Sequence, residues 1–353
     1  MKDIPVFKWL MMLLVALTVC LAGMRPDTAY AAMAGALDAP SRLSPDGRGL
    51  GDLAYLAIPA VGMIINQSAL TGLYKNFSTI FQDAFQGVES LYQRVSMVVP
   101  SSVREHTYAW LGAFPKMREW IGDRHIKNLE LHDFSLKNKD WEATIEVDRN
   151  DIMDDNLGVY NPIISEMGRT CAAHPDELVF GLLPLGFVTL CYDGQYFFDT
   201  DHPVGGASVS NFGGGAGTPW YLLDVTRSIK PLIFQDRMGV NFVAKDSPSD
   251  DNVFMKKKFV YGADRRDNAG FGLWQLAYGS KDTLDAANYA AARAAMMSYK
   301  DDEGKPLGIK PTLLVVPPSL EAAARAILKD EKLASGATNT WRDTADLLVV
   351  PWL

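Results

Sequence analysis

Residues 142–148 read Glu-Ala-Thr-Ile-Glu-Val-Asp, and their side chains alternate without exception. Ala143, Ile145 and Val147 fall on one face; Glu142, Thr144, Glu146 and Asp148 fall on the other. A period of two with one apolar face is the pattern of a half-buried antiparallel strand. Such a strand needs partner strands beside it and a layer over its apolar face. The rest of the chain must supply both.

Helical periodicity supplies the covering layer. In residues 68–87, Leu70, Leu73, Phe77, Phe81 and Phe85 recur at spacings of three and four, and Gly87 is placed to end the helix. Residues 154–183 form a second helical stretch, with Leu157, Tyr160, Ile164, Met167, Cys171 and Leu178 mostly on one side. Pro175 is expected to kink or restart it, and Cys171 reads as a buried helix residue rather than a reactive thiol. Residues 285–299 give an Ala-rich helix, and Ser319 is expected to cap another through residue 333. Strand patterns fall at residues 220–225, 231–235, 253–261, 271–278, 313–316 and 347–350, with short strands and turns over 190–204. Residues 110–148 are mostly extended, and Gly122-Asp123 is a reversal point for a hairpin. The fold class is α+β: helices packed on mixed, largely antiparallel sheets.

Charge and cysteine content narrow the function classes. The net charge of the 353 residues is −8, whereas a protein that grips nucleic-acid phosphates carries a basic face. The longest basic run, Lys256-Lys257-Lys258, reads as an exposed edge strand guarded by lysines. Cys20, Cys171 and Cys191 cannot make a disulfide framework, and no CxxC pair or paired histidines suggest zinc.

The N-terminus has a different character. Lys2 and Lys8 precede an apolar run over residues 9–23, and Ala29-Tyr30-Ala31 matches a cleavage pattern, so residues 1–32 read as a signal peptide. Residues 33–62, rich in Gly, Ala, Pro and Asp, read as a linker or as sequence upstream of the true start. Met63 opens what reads as an ordinary protein start.

Two local clusters invite a chemical reading. Asp199, Asp201 and His202 could ligate a metal or act as acid and base. Neighbours on a turn point in different directions, however, and Asp or His before Pro commonly makes turns. Gly213-Gly214-Gly215 with Gly217 lacks the Lys-Ser/Thr of a P-loop and the spacing of a dinucleotide turn, and reads as a Gly-rich loop over 208–218. No GxSxG, HExxH or DxDxDG motif occurs. No catalytic, cofactor-binding or metal-binding residue is therefore assigned.

Longer stretches carry a family resemblance. They are YAWLGAFPKMREWIGDR (108–124), NKDWEATIEVDRNDIMDDNLGVYNPIISEMGR (138–169), HPDELVF (174–180), CYDGQYFFDTDHP (191–203), YLLDVTRSIKPLIFQDR (221–237) and LGIKPTLLVVPPSLEAAA (307–324). Through them residues 63–353 resemble the major head subunit, or major capsid protein, of Mu-like phages and prophages. The resemblance implies a Hong Kong 97-type capsid fold. It places an N-terminal arm and helix at 63–112, an E-loop hairpin at 113–150 with its tip near Gly122, the spine helix of a peripheral domain at 151–188, and an axial domain with the remaining strands at 189–353. It implies a structural subunit of an icosahedral head, not an enzyme, with no cofactor. The implied partners are further copies of the chain in hexameric and pentameric capsomers, the phage's scaffold, maturation protease and portal proteins, and packaged DNA held non-specifically. The implied location is the virion head, assembled in the bacterial cytoplasm; residues 1–62 depart from that picture and point to Met63 as the start. The competing function is an exported periplasmic or surface protein, or a captured capsid-like compartment shell. A hydrolase built on Asp199, Asp201 and His202 is a third class. Set beside other members of this fold, residues 220–278 and 284–353 stand in reversed order, as in a circular permutation or a swapped insertion. Leu353 should then end near Trp220, both at an edge of one sheet.

Overall fold

The computed structural model describes residues 65–108, 134–154, 157–332 and 336–353. The signal-like segment, the linker, Met63 and the Gly122 tip lie outside them. Among the described residues, no helix is long and apolar enough to cross a membrane.

Helix α1 (Gln67–Gln86) begins at Asn66, whose side chain accepts the Ala69 N–H at 2.8 Å. It ends at Gly87 and buries Leu70, Leu73, Phe77 and Phe81, the face its periodicity predicts. One turn, α2 (Tyr92–Val95), leads into β1 (Ser96–Pro100) and β2 (Glu105–Thr107). After the region outside the description come β3 (Ser135–Lys137) and β4 (Lys139–Asp148). Helix α3 (Arg149–Met153) and a 3-10 turn (Leu157–Val159) then precede the long helix α4 (Asn161–Leu185).

Two sheets follow. The first has the order β1-β9-β10-β4, where β9 (Leu232–Lys245) and β10 (Lys258–Phe271) are long antiparallel partners joined through α5 (Asp251–Lys256). Strand β1 runs parallel to β9, and β4 antiparallel to β10. The second sheet takes β7 (Phe212–Gly215), β8 (Trp220–Leu223), β11 (Ala277–Lys281), β12 (Leu313–Val316) and β13 (Asp346–Val349), in the order β13-β12-β8-β11-β7. Helices α6 (Ala286–Ser298) and α7 (Glu321–Leu328) pack against it. Strands β5 (His202–Val204) and β6 (Ala207–Val209) make a separate small hairpin.

The core has two apolar clusters. The smaller joins α1 and the first half of α4 to β4, β9 and β10 through Phe77, Phe81, Ile164, Val147, Phe242 and Tyr261. The larger surrounds the five-stranded sheet and takes in Val179, Phe180 and Leu183 from the end of α4.

Several expectations change. The alternating segment, Ala143 to Val147, lies inside the body sheet opposite β10 and is not part of a projecting hairpin. Its half-burial comes from the sheet, which is the pattern alternation reports. Only β2 and β3 run as antiparallel roots toward the undescribed residues, with Glu105 opposite Lys137. Pro175 does not interrupt α4, which continues through it. The carbonyl that Pro175 cannot bond, Cys171 O, receives Arg265 Nη1 at 3.4 Å instead. Residues Val253 to Met255, expected to be extended, form α5, and residues 274–276 make a 3-10 turn that separates β10 from β11. Helix α7 starts at Glu321 and stops at Leu328, preceded by a 3-10 turn over Pro318–Leu320, so Ser319 lies inside that turn and caps nothing. Lys256 and Lys257 close α5, Lys257 in the left-handed region at φ 57°, and Lys258 opens β10, which has strands on both sides. The lysine run therefore guards a reversal and not a sheet edge.

Candidate functional site

Asp199, Asp201 and His202 do not form one site: the two carboxyls are neighbours, but His202 turns to other partners. Asp199 is a turn-maker: its carboxylate accepts the Tyr196 N–H at 3.1 Å and the Thr200 N–H at 2.7 Å. Asp201 is exposed. His202 turns inward and is fully buried, its ring stacked on Trp274 at 4.0 Å between centroids and 10° between planes. Its Nδ1 lies 2.7 Å from Asp193 Oδ2 and its Nε2 lies 3.1 Å from Asn211 Oδ1. The orientation of Asn211 is fixed by its other bonds. Its Nδ2 donates to Phe197 O at 2.7 Å, and its Oδ1 accepts the Asp199 N–H at 2.8 Å. Each ring nitrogen of His202 thus meets an oxygen.

Cys191 completes a buried trio that sequence reasoning missed. Its Sγ sits 3.0 Å from Asp193 Oδ1, and donor atoms of Cys191, Asp193 and His202 lie within 4.8 Å of one another. The only sequence signal was the Cys-x-Asp-Gly turn eleven to nine residues before His202, which has no metal-ligand spacing of its own. Burial, the Asp193 charge and the hydrogen bond to it push the Cys191 thiol well up, so it stays protonated and donates to Asp193. Burial also pushes Asp193 up, but hydrogen bonds from His202 and Cys191 outweigh it and hold the carboxyl below its usual range. The three groups satisfy one another with two protons. They lock the 191–211 segment together; a metal would have to displace both protons.

The Gly-rich run is a strand and a close contact, not a phosphate cradle. Gly213, Gly214 and Gly215 belong to β7, which runs beside β11. A Cβ on Gly215 would overlap the Asp282 N–H and the Lys281 carbonyl. Its φ of 85° also belongs to glycine.

Charged groups are instead used to fasten α4 to the sheets. Asp176, almost wholly buried on α4, accepts the N–H groups of Leu91 at 2.9 Å and Tyr92 at 2.6 Å and so holds the start of α2. Asp267 on β10 is fully buried and pairs with Arg265 Nε at 2.5 Å and His174 Nε2 at 3.4 Å, the latter from α4. Trp141 of β4 sets its ring edge-on to His174 at 4.6 Å. Helix α4 is thus held to one sheet by His174 against Asp267 and by the Cys171 carbonyl that accepts from Arg265, and by Phe180 and Leu183 to the apolar core of the other. Large apolar side chains remain exposed around these elements, among them Phe254 and Met255 on α5 and Val188 and Leu190 after α4. Long pinned helices, broad sheets and exposed apolar side chains suit a building block that completes its burial against neighbours.

Comparison with known proteins agrees with that reading. The family model for the Mu-like prophage major head subunit gpT matches residues 70–353. The major capsid protein of Escherichia phage Mu is 43% identical over 305 residues, covering 82% of this chain and 100% of that protein. The Mu-like prophage FluMu major head subunit of Haemophilus influenzae is 44% identical over 279 residues, covering 76% of this chain and 91% of its own length. Among solved structures, a chain of the bacteriophage JBD30 procapsid is 45% identical with a TM-score of 0.73, and a chain of the JBD30 capsid is 36% identical with a TM-score of 0.66. Each match covers 82% of this chain, and 100% and 99% of the respective phage chain. The phage Mu match runs the full length of that protein, so the order of segments here is shared with it. The end of β13 and the start of β8 do lie at the same end of their sheet, but β8 is central, with β12 between them, and only β13 is at an edge. With its α+β capsid fold and this collinear match, the chain belongs to the family of the Mu-like prophage major head subunit gpT.

Proposed function

We propose that the chain is the shell subunit of an icosahedral phage or prophage head, associating with copies of itself into hexameric and pentameric capsomers that enclose DNA. The observation that carries this reading is the end-to-end match to the phage Mu major capsid protein together with the TM-score of 0.73 to a procapsid chain. The subunit works by shape and contact and not by catalysis: the buried acid–imidazole–thiol trio is closed on itself by hydrogen bonds. Scaffold, maturation protease and portal proteins guide assembly, which takes place in the bacterial cytoplasm. Packaged DNA is held only non-specifically, in keeping with a net charge of −8.

Co-expression of the full chain with its cognate scaffold, followed by negative-stain microscopy, tests the reading. Closed shells are expected; monomers or amorphous aggregates would refute it.

A further inference from the structure

At the root of the β2–β3 hairpin, Arg104, Lys137, Lys139 and Arg266 line one open recess of about 680 Å³. The four cations come from different segments: the residue before β2, then β3, β4 and β10. The carboxylate lining the recess is Asp140, and it is already taken, 3.0 Å from Arg266 Nε. Among the described residues, Arg104, Lys137 and Lys139 make no ion pair, and all three are exposed. Glu105, the next acid in sequence, accepts a short hydrogen bond from Ser135 Oγ.

The platform beneath these cations is rigid. Asn138, between the two lysines, is buried; its Nδ2 donates to Ser101 Oγ at 3.0 Å and to Val103 O at 2.9 Å, and its Oδ1 accepts from Gln235 Nε2 at 2.7 Å. Asn268 Nδ2 donates to Lys137 O at 2.8 Å. Like charges held close together on a fixed platform repel one another unless something of opposite sign stands beside them. Exposed carboxylates of the same chain stand outside the recess, Asp83, Glu89, Asp154 and Glu177 among them.

We infer that this recess docks carboxylate side chains of a second copy of this chain. The inference rests on the shell-subunit reading and deepens it. A contact between a basic patch on one copy and an acidic patch on the next is heterologous, the kind that closes rings such as capsomers. Complementary charge sets its register and speeds encounter.

The test co-expresses the cognate scaffold with the full chain carrying Arg104→Glu, Lys137→Glu and Lys139→Glu combined, and with a second triple variant that has Gln at the same positions. Thermal melting confirms folding, and sedimentation with negative stain measures particle yield at about 0.05 M and about 0.5 M salt, which brackets strong and weak screening. The wild-type chain should assemble, with a yield that falls as salt rises. The Glu variant should melt like wild type and lose about tenfold or more in yield, and the Gln variant should lie between them and be less sensitive to salt. A folded Glu variant that assembles as wild type overturns the recess and leaves the shell reading standing; if the Glu variant does not fold, the Gln variant decides in the same way. Loss of affinity for a DNA oligonucleotide with assembly intact also overturns it and makes the recess a phosphate site. A wild-type chain that never assembles overturns both readings.

Discussion

Asp193 receives hydrogen-bonding contacts from a thiol and an imidazole, and His202 joins it to Asn211 and Trp274. Removing the ring would strip Asp193 Oδ2 of its buried partner and take one of the two donors from Asn211 Oδ1. His202→Ala should therefore destabilise the subunit by about 3–5 kcal/mol, the usual cost of breaking a buried pair from one side; urea unfolding measures it. The same site has a pH signature. The Asp193 carboxyl is held below its unfolded value, so its stabilising contribution is present above the unfolded carboxylate range, near about 3.9, and is lost as pH falls through the lower folded value. Melting temperature should drop in acid for the wild-type chain, and less steeply for Asp193→Asn; identical acid profiles would exclude Asp193 as a contributor. The sequence showed His202 but not its partners. Asp193 and Asn211 are both nine residues away, one on a tight turn and the other past a hairpin, and no periodicity links them. The local Asp199 and Asp201 attracted the chemical reading because they are close in sequence, while the folded chain uses Asp199 only to make a turn.

Helices α1 and α4 meet where Gly168 lets them. A Cβ at that position would stand 2.5 Å from Phe81 O and 3.1 Å from Ala84 Cβ, and a helix backbone cannot yield by that much. Gly168→Ala should push the helices apart and cost about 1–3 kcal/mol, as overpacking generally does, despite alanine's better helix propensity. A variant as stable as wild type would show that α1 is not anchored at this point. The face of α1 and the β4 alternation were legible because each of these elements buries one side at its natural period, whereas α6 showed only as an Ala-rich helix. The full 14-residue lengths of β9 and β10 were not, since their outer halves carry polar and glycine residues that pair through the backbone. Pro175 misled for a related reason: the bond it forfeits is partly replaced by Arg265, a residue 94 positions from the exposed carbonyl's owner.

At the scale of the molecule, the long helix reaches from one sheet to the other, and the last residues of the chain meet its far end. Trp352 stacks on Phe180 of α4 with ring centroids 6.2 Å apart and planes 3° from parallel. Val350 is fully buried, and its N–H donates to Val316 O at 2.9 Å, extending the β13 edge by one residue. The expectation that the chain's last residues approach the sheet end where Trp220 begins came from the order of segments; the packing against α4 could not be read from it, because Phe180 and Trp352 share no local pattern. Burying a valine side chain is worth about 1.5–3 kcal/mol and the backbone bond about 0.5–1.5 kcal/mol. Deleting residues 350–353 should consequently lower the unfolding free energy of the unassembled subunit by about 2–4 kcal/mol, allowing for partial exposure of the frayed edge. Urea denaturation of the truncated and full chains, compared at equal unfolding slope, checks the value. Loss of less than about 0.5 kcal/mol, the range of ordinary surface changes, would show that this segment is not part of the fold's core. Trp352→Ala separates the contributions: it should retain the Val350 share and lose only the stacking on Phe180, about 0.5–1.5 kcal/mol plus its buried area.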